Sequence, residues 1–306
     1  MKKRKLAKDG WSLLKRTYEE FENDNAIKLS ASLSYFTIFS LPPLLIIILS
    51  IFSFIFGKEA VTGRFFGQIN GMVGNEAALQ IQETIKNIEL SDSNTFAAIF
   101  GGIMLLIGAS GVFAEIQSSI NFIWGLRAKP NKGIMKFIKN RLMSFSMIAS
   151  VGFLLMVSLM LNTVMDVINS RLIVYFPDTT VYIFYVLNIV ILFITTTILF
   201  SVIFKTLPDG EIVWKDALIG SSFTSFFFMI GKFAIGFYLG SSTVATVYGA
   251  AGSIVIILVW VYYSAIILYF GAEFTKVYAN AHGNKIVPND YAVAIKVEVL
   301  EVKEVK

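Results

Sequence analysis

Lys232 interrupts an otherwise uncharged apolar run from Ala217 to Leu239. Ionisable groups inside hydrocarbon are rare and costly, so such a lysine carries a functional hypothesis by default. Ser221, Ser225, Lys232 and Gly236 recur at helical spacing and share one face. At 1.5 Å of rise per residue, Lys232 lies about 7 Å past the middle of that run. Asp166 and Asn188 fall at compatible depths in neighbouring runs. A Lys232–Asp166 pair across a polar cavity, with Ser225 and Asn188 beside it, would attract an anionic head group. The plainer reading is a lysine that snorkels its ammonium to the head groups on a long apolar stem.

A second set of polar residues gathers at the opposite end of the runs. Glu115 lies about 12 Å to the other side of the middle, hence about 19 Å of depth from Lys232, too far to pair with it. Glu115 and Glu273 sit at similar depths, with Asn121, Arg141 and Lys205 in reach. Paired carboxylates with basic neighbours make either an inner gate that takes protons or a clamp joining helix ends to loops. Gly101, Gly108 and Gly111 lead into Glu115 as a small-residue stripe, which lets another helix approach closely. Pro42-Pro43 removes two backbone donors from an apolar run, just after Ser30, Ser34 and Thr37 on one face. That pattern is expected to break the helix, as a cavity wall or as a kink.

Other chemistry is excluded by what is missing. There is no cysteine and a single histidine, His282. Disulfides, cysteine-ligated zinc, iron–sulfur clusters and thiol catalysis are removed together. No nucleophile–base arrangement is present, so no catalytic residue, metal site or cofactor is assigned and an enzyme is not expected.

The elements that must position these groups follow from composition. Of 306 residues, 56 % are hydrophobic and 15 % charged, more apolar surface than a soluble fold of this size can bury. About 20 apolar residues span a bilayer core of about 30 Å. Six runs qualify, at about 33–56, 96–118, 142–165, 181–204, 217–239 and 247–270, the last two divided at Gly240-Ser241-Ser242. Loops on one side, with the termini, carry 21 of the 26 Lys/Arg and the opposite loops four. Both termini are therefore expected in the cytoplasm. The net charge of +5 follows from this distribution and is no nucleic-acid signal. The opening Met-Lys-Lys-Arg-Lys is no signal peptide, because the apolar run begins only near Leu33.

The expected fold is an all-α integral membrane bundle of six helices with interfacial amphipathic helices. Residues 1–32 form a cytoplasmic interfacial segment, in which Trp11, Leu14, Tyr18 and Phe21 recur beside Lys8, Lys15 and Arg16. Residues 33–272 form the membrane domain, and 273–306 a cytoplasmic tail, weakly structured after Pro288. In the long first outer loop Ala78, Ile81, Ile85 and Ile88 make a second stripe, with Asn75 as its N-cap. That segment is either a lid or a helix resting on lipid.

The order of these landmarks resembles a known family. Leu33-Ser34-Tyr35-Phe36 with Ser40-Leu41-Pro42-Pro43, then Gly108-Ala109-Ser110-Gly111 running through Glu115-Ile116-Gln117 to Asn121-Phe122-Ile123-Trp124, are similar to the first two helices of the YihY / virulence factor BrkB family. Leu207-Pro208-Asp209 with Trp214-Lys215-Asp216-Ala217 and Gly220, then Gly231-Lys232, fit its approach to the fifth helix. The closest match is Tyr248-Gly249-Ala250-Ala251-Gly252-Ser253, Trp260-Val261-Tyr262-Tyr263 and Gly271-Ala272-Glu273-Phe274. The resemblance covers roughly residues 25–280. It implies a six-helix protein of the bacterial cytoplasmic membrane, for which transport is the usual description, with links to envelope lipid movement suggested for relatives. An older ribonuclease label on the family finds no support here, since no histidine pair, acidic metal cluster or basic groove with stacking aromatics is present.

The expected function is a transporter or flippase for an amphiphilic, lipid-like or anionic solute. Lys232 would take the head group, and Glu115 with Glu273 would gate it. The alternative is a non-transporting scaffold whose basic surface helix recruits lipids or protein partners. Membrane lipids are the expected partners, a second copy of the chain is left open, and nucleic acid is not expected.

Overall fold

The computed structural model describes residues 2–56, 107–129, 146–147, 150, 177–241, 252–282 and 285–295. Six helices lie in these segments: α1 (Lys2–Asn23), α2 (Ala26–Phe56), α3 (Gly111–Ile123), α4 (Pro177–Thr206), α5 (Trp214–Ser241) and α6 (Gly252–Ala281). The third expected span (142–165, apart from 146, 147 and 150), the outer loop with Asn75 and its stripe, Gly101, Arg141, Asp166, Gly249 and the charged end of the tail lie outside the described residues.

Helix ends are set by local chemistry. Asn25 turns α1 into α2 at φ +50°, a left-handed conformation that asparagine tolerates. Pro208, two residues past the end of α4, cannot continue the ladder. Gly125 sits at φ +66° after α3, and a side chain there would also meet the Ile295 carbonyl at 2.9 Å. Each long helix overruns its apolar run. Helix α2 starts at Ala26 rather than Leu33, and α6 reaches Ala281 rather than Phe270. The reason is that intrahelical hydrogen bonds continue where hydropathy stops. At 30 residues, α6 is about 45 Å long, longer than the about 30 Å core of a bilayer. The expected break at Pro42-Pro43 is not found: α2 is helical without interruption through both prolines.

Helix α6 is the hub, packing against α1, α2, α3 and α5, while α4 packs on α5. The α5–α6 contact is reciprocal. Thr275 of α6 fills the notch at Gly220 of α5, and Thr224 of α5 fills the notch at Gly271 of α6. Each threonine hydroxyl donates to the carbonyl of the glycine four residues earlier in its own helix, at 2.7 and 2.6 Å. The polar group is thereby satisfied while its methyl packs. Phe223 stacks on Phe274 at 3.9 Å, one turn along the same seam. The stripe at Gly108 and Gly111 closes on α2, where a Cβ would stand 3.0 Å from Pro43 and 2.7 Å from Ser40.

The outside of the bundle is apolar. Val186, Val190, Ile194 and Ile198 on α4, Leu218, Phe226 and Ile230 on α5, and Tyr35, Phe36 and Phe39 on α2 are exposed. Such faces seek lipid or other protein. Among the described residues, Ile189–Thr206 and Ile257–Ala281 are long and apolar enough to cross a membrane.

Two expectations are corrected. The fold is mostly helical as expected, and among the described residues two short antiparallel ribbons join its loops. Strand β1 (Leu126–Ala128) pairs with β4 (Ala292–Ala294), and β2 (Gly210–Glu211) with β3 (Val287–Pro288). Residues 285–295 of the tail are accordingly structured, because their backbone groups find partners in the loops after α3 and α4. The stripe of α1 also divides. Phe21 packs edge-on against Phe270 at 5.5 Å beside fully buried Thr17, whereas Trp11 and Tyr18 are 71 % and 60 % exposed. Helix α1 docks on α6 through a face rotated from the one its aromatics suggest.

The glycine notches give a stability test. Gly220→Ala or Gly271→Ala should lower thermal stability by about 1–3 kcal/mol, the range for overpacking a filled contact. Gly10→Ala, with no atom within 4 Å of its Cβ, should be neutral or stabilise by up to about 1 kcal/mol. Equal unfolding temperatures for all three in detergent would refute the reciprocal packing.

Candidate functional site

Polar groups collect in three places inside the described bundle. The first is built on Lys276, whose side chain is 16 % exposed. Its ammonium lies 3.0 Å from Glu273 Oε2 on the same helix, 3.1 Å from Asp24 Oδ2 and 3.3 Å from Glu20 Oε2. It also donates to the Ile123 carbonyl at 2.7 Å. That carbonyl belongs to the last turn of α3, where helix dipoles concentrate negative charge. Glu20 and Asp24 come from the last turn of α1 and the turn that follows it. One ammonium thus ties α1, α3 and α6 together. The carboxylate oxygens of Glu20, Asp24 and Glu273 lie within 4.8 Å of one another. That spacing could hold a cation, and the cation they surround is the Lys276 ammonium. Glu273 is fully buried, and its Oε1 has no hydrogen-bond partner among the described residues.

The second assembly is a clamp around Asp209, fully buried in the turn after α4. Gln117 Nε2 donates to Oδ1 at 3.0 Å and Asn121 Nδ2 to Oδ2 at 2.9 Å. The Asp209 amide donates back to Asn121 Oδ1 at 2.7 Å, and its carbonyl accepts from the Asn289 amide at 3.0 Å. Gln117 and Asn121 are four apart on α3 and so present both amides to one loop. Gly210 follows in a notch where a Cβ would meet Leu126 at 2.7 Å and Ile286 at 3.0 Å. Trp124 Nε1 completes this end by donating to the Ala272 carbonyl at 3.1 Å.

The third is a seam of hydroxyls. Thr197 and Ser201 on α4, with Ser221 and Ser225 on α5, are buried, and none of the four has a hydrogen-bond partner among the described residues. Helices α4 and α5 run antiparallel about the turn near residue 210. Ser201 therefore stands level with Ser221, and Thr197 with Ser225, by rise along each axis. Buried polar groups are normally satisfied, so a row of unsatisfied hydroxyls requires an explanation. At 100° per residue, Lys232 follows Ser221 and Ser225 on the same side of α5, about 10 Å further along. It is exposed where they are buried, and makes no hydrogen bond or ion pair among the described residues.

The residues singled out in the sequence are distributed among these assemblies. Ser225 belongs to the seam and Lys232 stands beyond its end. Asp166 lies outside the described residues, as do the side chains of Asn188 and Pro42. Pro43 packs against Gly108. Asn121 holds Asp209, and Lys205 donates to the Ile212 carbonyl, closing the α4–α5 turn. Glu273 sits with Lys276, while Glu115, half-buried and six residues before Asn121 on α3, makes no hydrogen bond or ion pair among the described residues. The expected inner gate is therefore divided: Glu273, Asn121 and Lys205 each serve a different contact.

Lys276, Glu20, Asp24, Thr197 and Ser201 join these assemblies without standing out in the sequence as site residues. Signals for them existed in Glu273-x-x-Lys276 and Glu20-x-x-x-Asp24, spacings that share a helix face. The convergence of α1 on α6 had no local signature.

The family described as Virulence factor BrkB matches residues 17–294. The UPF0761 membrane protein of Saccharophagus degradans is 26 % identical over 262 residues, covering 86 % of this chain and 58 % of that protein. Its counterpart in Rhodospirillum centenum is 26 % identical over 283 residues, covering 91 % and 60 %. The one in Mannheimia succiniciproducens is 23 % identical over 265 residues, covering 85 % and 87 %. The chain spans about three-fifths of the length of the first two. No solved structure matches it.

Unequal sharing of the Asp209 carboxylate generates a second prediction. Asn121→Ala removes one donor to the buried carboxylate and the acceptor of its amide, so it should cost at least about 2 kcal/mol. Gln117→Ala removes one donor and should cost less. Thermal unfolding in detergent checks the order, and a Gln117 variant that is the worse of the two contradicts the clamp.

Proposed function

The chain belongs to the Virulence factor BrkB family, and on that premise we propose that it is a transporter or flippase of the bacterial cytoplasmic membrane. In this reading six spans cross the bilayer with both termini in the cytoplasm, and the solute is amphiphilic or anionic. The hydroxyl seam leading to Lys232 carries the proposal. Four buried hydroxyls without partners among the described residues, on two antiparallel helices, offer unused hydrogen bonds. Such groups in hydrocarbon would be selected against unless something polar passes or binds there. An exposed ammonium on the same side of α5, about 10 Å outward, supplies attraction for a phosphate or carboxylate.

The chemistry asked of the protein is modest. Moving a head group through hydrocarbon requires replacing its hydration, and hydroxyls do this without fixed charge that would trap it. Lys232 sets the preference for anions and stands at the wetter end. Trp11 and Tyr18, exposed on α1, favour the second reading, a scaffold that recruits lipid or partners through that helix.

Reconstitution into vesicles containing a fluorescent anionic phospholipid separates the two. Lys232→Met should slow transbilayer movement at least about tenfold, equivalent to ~1.4 kcal/mol in the barrier, with unfolding temperature unchanged. Ser221→Val with Ser225→Val should have a similar effect. Unchanged movement in a well-folded Lys232→Met protein removes the lysine from the mechanism. A loss confined to deletion of residues 1–25 favours the scaffold.

A further inference from the structure

Electrostatics at Lys276 do not balance. Glu20, Asp24 and Glu273 present three carboxylates within 4.8 Å of one another to a single ammonium. The last turn of α3 adds its own negative end through the Ile123 carbonyl. Glu273 has no access to water that could screen the excess, and no donor reaches its Oε1. A buried carboxylate in that position is stabilised when its free oxygen carries a hydrogen and gives it to a neighbouring carboxylate.

We propose that this cluster binds one exchangeable proton, shared between Glu273 and the Asp24 side of the cluster, and that the proton latches α1 onto the bundle. With the proton bound, the Glu273 hydroxyl donates toward Asp24, and Lys276 neutralises one of the remaining charges. When the proton leaves to water, Glu273 becomes a third full negative charge in a space of fixed size. The element that yields is α1. Glu273 is buried on the central helix, whereas Glu20 and Asp24 are 34 % and 24 % exposed and can turn to solvent.

The other ionisable groups on the elements around Glu273 do not relieve the excess. Helix α3 contributes Glu115, about 12 Å deeper than Ile123 by rise. Helix α2 offers Lys28, which is exposed. Helix α5 offers buried Asp216, which falls level with Ala279 by the Gly220–Thr275 and Gly271–Thr224 contacts, about 9 Å nearer the end of α6. Apolar contact of Phe21 with Phe270 favours docking at every pH, so the proton decides only the balance. This inference concerns the position of α1 and does not depend on the solute path.

The sign follows from the occupancy. A proton held in the docked state and lost in the released one stabilises docking at low pH, and that stabilisation disappears as pH rises. The absence of native cysteine makes the test direct. Spin labels are placed at Tyr18→Cys on α1 and Val213→Cys in the α4–α5 turn, both exposed, in the full chain in lipid nanodiscs. Distance distributions are measured from about pH 6 to about pH 10, a range that brackets buried glutamates. The docked population should fall from about nine-tenths to about one-tenth across about two pH units, the width of a single-proton titration. Glu273→Gln, whose amide keeps a donor in place of the proton, should stay docked throughout, and Lys276→Met should be released even at the lowest pH. If Glu273→Gln does not assemble, Asp24→Asn replaces it and should shift or abolish the transition. A distribution in the unsubstituted pair that does not move with pH overturns the proposal. So does an unchanged transition in the Glu273 or Asp24 variant.

Discussion

A single ammonium governs one end of this protein. Lys276 lies within 3.3 Å of carboxylates from α1 and α6 and holds the terminal carbonyl of α3. Burying any of these charges alone would cost several kcal/mol. Their mutual arrangement is therefore an obligation on the fold: α1 must return to α6, and α3 must end where its last carbonyl meets that nitrogen. Three carboxylates for one cation leave the obligation incompletely met, which is the physical origin of the proton latch.

The rest of this end is built on the same rule with neutral partners. Asp209 is satisfied by two amides from one face of α3 and by backbone. The tail then closes the loops with two short ribbons. Further along the helices, where no charge is available, contact is made by removing side chains. Glycines at 220 and 271 admit threonines from the opposite helix, and those threonines donate to the carbonyls of Gly271 and Gly220 one turn back in their own helices. Charged pairing at the ends and small-residue packing in the middle fit a chain whose outer faces are apolar. Lipid supplies no hydrophobic drive between helices, so packing and polar contacts must do so.

Among the buried serine and threonine hydroxyls of the described residues, the four on α4 and α5 are the exceptions. The protein satisfies the hydroxyls of Thr17, Ser30, Ser34, Thr37 and Thr224 by bonds to carbonyls of the preceding turn. The same device was open to Thr197, Ser201, Ser221 and Ser225 and is not used. That contrast, more than the presence of hydroxyls, links the seam to the proposed solute path.

Much of the architecture was legible in the chain itself. Helical class, membrane setting, family and the locations of the long helices follow from apolar length and motif order, because both are local properties that hydropathy and backbone hydrogen bonding enforce. The stripe at Gly108 and Gly111 announced a close helix contact for the same reason. Which helix fills a notch, and which carboxylate meets which cation, is decided by contacts between residues far apart in sequence. Glu273 could be marked as an ionisable group near a helix end, yet its partners Glu20 and Asp24 are some 250 positions away, and no periodicity relates them. The pairing of tail residues 287–288 and 292–294 was hidden likewise, since these strands exist only when the loops after α3 and α4 offer an edge to pair with. Local patterns determine elements one at a time, whereas burial forces charges and backbone groups to find partners wherever the folded chain has put them.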